Sequence, residues 1–224
     1  VNTDRPTVFR RLSRTRFAGR VLLQLNYIVW FPARPLTGAF DLYGGHLDGI
    51  DWRVTVDTDG RPLLYDAIHN CGCYHMFFPT ERLRLRTDFP PIYFEPPLIP
   101  ESLRARLQGT RTVVRIAHHT HYLQRVTLSR APHGATRYAF GDYDRLRSLP
   151  LPQGGRRSLF GPSGIVPGTT RAERWLLWPM GIAKPGAMRQ WGPHAVAFVG
   201  RPPFHAPHPP HQLAAPAYPA APIP

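Results

Sequence analysis

Four soft donors crowd into one short stretch of this chain: His69, Cys71, Cys73 and His75 occupy alternate positions of HNCGCYH. On a strand, alternate residues share one face. Thiolate and imidazole are the ligands that suit zinc best, with copper and iron as the alternatives. Geometry limits how many can serve one ion. Residues i and i+2 of a strand lie roughly 6.5–7 Å apart, whereas two sulfurs on one zinc can be no more than ~4.6 Å apart. Gly72 permits a kink between the cysteines. Two or three ligands are therefore expected here, and the rest from His119 and His121, which repeat the i, i+2 spacing in a second strand-like segment. The leading expectation is a metal-binding β-scaffold protein, a metalloenzyme if one coordination position stays open and a structural site if the shell closes. Its ligands would be Cys71, Cys73, His75 and His121, with His69 and His119 as second choices.

The spacing matches neither the paired Cys-x2-4-Cys of zinc fingers nor the Cys-x-x-Cys-His of haem attachment. A second expectation needs no metal. Cys71 or Cys73, activated by His75 or His119 with Asp66 or Asn70 orienting the base, would give a Cys/His-dependent enzyme of acyl transfer, hydrolysis or thiol redox. A disulfide across Gly72 would close a small strained ring and gain little chain entropy, so it is not expected as a staple. The plain alternative is that the cysteines fill core and the histidines are satisfied polar neighbours.

A net charge of +14 raises a third expectation, a basic module for a polyanion such as nucleic acid. Lys184 is the sole lysine, and the arginines are scattered, densest at Arg5, Arg10, Arg11, Arg14, Arg16 and Arg20. That pattern fits a GC-rich coding bias and a solvated surface better than a dedicated interface. Asp57, Asp59 and Gly60 resemble the start of a calcium loop, but the closing Glu is missing and a turn explains them. Asp48 and Asp51 read as turn residues before a carboxylate pair. Gly154-Gly155-Arg156-Arg157-Ser158 offers anion contacts without a P-loop ending. Trp175, Trp178, Met180, Met188 and Trp191 read as packing, or as an apolar pocket for a small molecule.

The elements that must position these groups are short. The chain has 224 residues, enough for one sizeable core, and 27 prolines leave little room for long helices. Val21 to Phe31 is an apolar strand ended by Pro32, and Gln24 and Asn26 distinguish it from a signal peptide. Residues 52–68 read as a hairpin turning at Asp59-Gly60. Further strands are expected at 111–117, 122–128 and 136–140, with a short helix at 101–107 and a long Gly/Pro loop at 150–168. Segments 173–178 and 195–199 are the last ordered ones.

The fold is expected to be mainly β, an antiparallel sandwich or irregular barrel with one or two short helices. A basic arm spans 1–14, a single domain 15–200, and a disordered Pro/Ala/His tail 201–224. No stretch is apolar over the length of a spanning helix. Val1 in place of Met is compatible with a removed leader, so cytoplasm, periplasm and secretion all stay open.

Overall fold

The computed structural model describes residues 1–17, 19–85, 97–104, 108–131, 133–181, 184–190 and 213–214. The chain is mostly β. Strands β1 (Thr7–Phe17), β2 (Arg20–Arg34), β3 (Gly45–Val56), β4 (Pro62–His69) and β5 (Met76–Pro79) follow one another as antiparallel neighbours. After β6 (Arg84–Leu85) come the hairpin strands β7 (Arg111–Ile116) and β8 (Leu123–Ser129), then β9 (Ala139–Asp142), which adds to β1 in parallel. The large sheet is therefore mixed, in the order β5-β4-β3-β2-β1-β9. A 3-10 turn at Tyr143–Arg147, a two-strand pair of β10 (Leu149–Pro150) and β11 (Arg156–Arg157), and a single α-turn α1 (Arg174–Leu177) complete the C-terminal half.

The expected hairpin at 52–68 forms, but its loop is wider than a two-residue turn. Asp57 N donates to Arg61 O (2.9 Å), and the register shifts between Thr55 and Val56. The carboxylates of that loop are occupied by arginines, Asp57 by Arg82 at 2.7 Å and Asp59 by Arg61 at 2.7 Å. Strand β2 runs on through Pro32. Its pairing with β1 stops at Val29, so beyond that point the missing proline N–H has an open side to face. Residues 7–14, expected within a basic arm, belong to β1, where inward Thr15 and Phe17 alternate with exposed Arg14 and Arg16. Residues 101–104 are not helical, and Leu103 instead bridges Thr80. The rest of that expected helix, segment 195–199 and Trp191 lie outside the described residues. Of the tail only 213–214 is described; it forms strand β12 (Leu213–Ala214) against β6.

The two faces of the large sheet bury different sequence. On one, Ile50, Trp52, Tyr65 and Phe78 pack against Leu123 and Val126 of the β7–β8 hairpin. On the other, Ile28 and Trp30 meet Tyr143, Phe160, Val166 and Met188 from the C-terminal half. Each such side chain contributes about 1.5–3 kcal/mol on burial. Trp175 and Trp178 are 67% and 72% exposed, so they are surface groups and not core.

The second face also buries charge. Arg53 Nε donates to Asp66 Oδ2 at 2.6 Å, and His75 Nε2 lies 2.9 Å from the same oxygen. Next to them Asp51 is buried with Oδ1 lacking any hydrogen-bond partner. Burial, reinforced by the charge of Asp66 and opposed by Arg53, pushes its carboxyl up to about 7. A raised carboxyl favours the folded state most when protonated. Its contribution is therefore fully present below the ordinary 3.8 and is lost as the pH rises through about 7. Asp51→Asn is expected to raise stability at pH 8 by about 1–3 kcal/mol and to flatten the fall between pH 4 and 7. Urea unfolding midpoints across that range check this.

Candidate functional site

The His/Cys segment is not a continuous strand. Strand β4 stops at His69, and the chain folds back on itself: Gly72 N donates to His69 O (2.8 Å) and His69 N to Cys73 O (3.0 Å). Gly72 takes φ +99, a conformation a side chain resists, and this is what lets the reversal occur between the cysteines. Cys71 is carried into the second-face core beside Trp30 and Met188. Cys73 stays partly exposed on the same recess as Cys71, and its thiol donates to Glu173 Oε1 at 3.6 Å. The neighbouring Cys71 sulfur, burial and the Glu173 charge together push the Cys73 thiol far up, so it is protonated at rest. Burial likewise pushes Glu173 up, against the Cys73 hydrogen bond and the charge of Arg171.

His69 ends β4 on the other sheet face, level with Ile50 of β3. Its Nδ1 faces Asp48 Oδ1 at 3.8 Å, while Nε2 is buried without a partner. Asp48 also accepts from His121 Nδ1 at 2.8 Å. Burial opposes its charge, but the two imidazoles outweigh that and hold the carboxyl well below its ordinary range. His121 comes from the β7–β8 connection at φ +55, and its ring stacks on Phe31 with centroids 3.8 Å apart.

These groups meet at a narrow recess of about 20 Å³, room for a single water-sized group, that is partly open to solvent. Cys71, Cys73, His69 and Asp48 line it from β3, β4 and the loop after β4; Arg171 and Glu173 line it from the C-terminal half. Arg34 and the Tyr43 and Tyr74 rings form the remaining wall. Arg34 Nη2 donates to the Tyr122 hydroxyl (3.1 Å), which donates in turn to the Tyr74 hydroxyl. Gly45 has no Cβ because one would collide with the Arg171 guanidinium.

The metal expectation is corrected by this arrangement. Among the described residues no three His, Cys, Asp or Glu side chains converge as a group able to hold a metal ion. The alternate-position argument required an unbroken strand, and the reversal at Gly72 removes it. His69, Cys71 and Cys73 still line one recess, and His121 joins it through Asp48. His75 does not: it shares the second face with the cysteines, but its ring is held away from the recess by Asp66 and Arg53. His119 does not either: it is exposed in the β7–β8 connection, its ring 4.2 Å from that of His118.

Asp48 carries a sequence signal, a carboxylate beside a Gly-rich stretch, that a turn also explains. Arg171 and Glu173 gave none, being 98 or more residues from Cys73 and separated from it by loops. No described helix is long and apolar enough to cross a membrane. Comparison with family models, curated proteins and solved structures returns no match for the chain.

Proposed function

We propose that this chain is a thiol-dependent oxidoreductase of small molecules, with Cys71 and Cys73 as its dithiol and Glu173 as the proton acceptor. The observation that carries this reading is that the two cysteines, one residue apart, line the same recess, with Cys73 donating to a buried carboxylate. Acyl transfer or hydrolysis by a Cys–His pair has less support, because among the described residues no hydrogen bond joins either thiol to His69.

The chemistry balances with a small disulfide as oxidant. Cys73 passes its proton to Glu173, and its sulfur attacks one sulfur of the substrate. The substrate S–S bond breaks and the first thiolate leaves with the proton from Glu173. Cys71 then attacks the Cys73 sulfur, expelling the second substrate thiolate, which takes the Cys71 proton. Two electrons pass from the protein dithiol to the substrate, and the protein keeps a Cys71–Cys73 disulfide. The ring across Gly72 is small and strained, so this bond belongs to the reducible, catalytic kind.

The single variants test the order of events. Treated with oxidised glutathione, Cys71→Ser should trap glutathione on Cys73 as a stable mixed disulfide, visible as one adduct by intact mass. Cys73→Ser should react far more slowly, because Cys71 is the more buried sulfur. Equal and slow labelling of both variants would overturn the assignment.

A further inference from the structure

We propose that the recess binds a small carboxylate, with Arg171 as its anchor. This deepens the dithiol reading by naming its substrate class, and it rests on that reading.

Arg171 is buried at 3% exposure, a costly place for a guanidinium unless something pairs with it. Its Nη2 donates to the carbonyl of Leu47, but Nη1 has no partner. Among the described residues no ion pair holds it. Two carboxylates are near, and both are committed elsewhere. Asp48 is taken by His121, and Glu173 accepts from Cys73. Arg34 adds a second positive charge to the same wall. His69 Nε2 is a second buried polar atom on the recess without a partner.

The recess therefore holds two arginines against one carboxylate that is already engaged by imidazoles and one that burial drives toward its neutral form. A ligand carboxylate would complete Arg171 with a charge-assisted hydrogen bond. It would also bring the ligand's neighbouring atoms to the thiols that share the recess. The recess is narrow, about 20 Å³, so only the carboxylate tip of a ligand would enter it, with the rest of the molecule at its open mouth.

Alkylation by two reagents that differ only in charge tests this. Iodoacetate and iodoacetamide both lose iodide as the thiolate sulfur bonds to their methylene carbon, with the thiol proton going to base. At one pH their rate ratio is independent of how much thiolate is present. In the wild-type protein the iodoacetate-to-iodoacetamide ratio should exceed that of free cysteine by about tenfold, and millimolar acetate should slow both reagents where acetamide does not. Arg171→Gln should return the ratio to the free-cysteine value. Arg34→Gln, which alters a partly exposed wall residue, should lower it part-way and serves if the first variant does not fold. A wild-type ratio equal to that of free cysteine overturns the carboxylate assignment whether or not the dithiol oxidises. Thiols that neither reagent reaches in the native protein overturn it too. Failure of the dithiol reading shows separately, as thiols that alkylate but never form a disulfide.

Discussion

Asp66→Ala is expected to cost about 3–5 kcal/mol of folding stability, the largest loss from any single side chain in the second-face polar cluster. Asp66 is 1% exposed and accepts from both Nε and Nη2 of Arg53. Removing it leaves a buried guanidinium without its carboxylate, with only the uncharged contact of Nη2 to His75 Nε2 at 2.7 Å remaining. Desolvation is the largest influence on Arg53 and would be opposed only by Asp51 after the substitution. Asp51 would in turn lose a like-charged neighbour, so its carboxyl would come down and recover part of the loss above neutral pH. Replacing both partners, as Arg53→Met with Asp66→Leu, should restore most of the stability, because no charge then remains to be solvated. Urea unfolding of the single and double variants separates the two outcomes. A single variant within about 1 kcal/mol of wild type would mean that the ion pair is solvated in solution.

The second large effect falls on reaction rate. Glu173→Gln should slow the first thiol–disulfide exchange at pH 7 by about a hundredfold, the scale of a lost general base. The amide can still accept the Cys73 hydrogen bond, so the thiol stays in place. What it cannot do is take the proton from a thiol whose neighbours keep it protonated. The pH profile carries the sign. Glu173 is raised above its ordinary 4.5, so the wild-type rate should climb as the pH passes above that value and then level off. In the variant the rate should follow hydroxide through the same range, with no plateau. Stopped-flow measurement with a small disulfide reads both. An unchanged profile would assign the proton to solvent and remove Glu173 from the mechanism.

The sequence was most legible where one local signal decided the outcome. Alternation at Trp52, Val54 and Val56, with Asp-Gly beyond them, fixes β3 and β4 because a half-buried strand must alternate. The apolar run from Val21, rich in β-branched and aromatic residues, marks β2. The spacing of His69, Cys71, Cys73 and His75 misled, since it assumed that alternation continued past the strand end. Gly72 was the warning. A glycine able to kink a strand is equally able to end one, and its positive φ sends the cysteines to the second face while His69 stays on the first. His75 is then turned toward Asp66 by β5, a contact that pairing fixes and that spacing does not encode. Arg171 and Glu173 reach the thiols only because loops of the C-terminal half cover that face of the sheet. No periodicity in a Gly/Pro-rich stretch reports where it will be draped.

Everything in the functional account depends on Cys71 and Cys73 exchanging electrons as a pair. The most direct check is the intact mass of native wild-type protein after equilibration with oxidised glutathione and removal of excess reagent. The expected product has lost two hydrogen atoms and carries no glutathione, with the bond mapped between Cys71 and Cys73. Two free thiols that become modifiable only after denaturant is added would contradict the account, and would leave the cysteines as packing beside an unassigned recess.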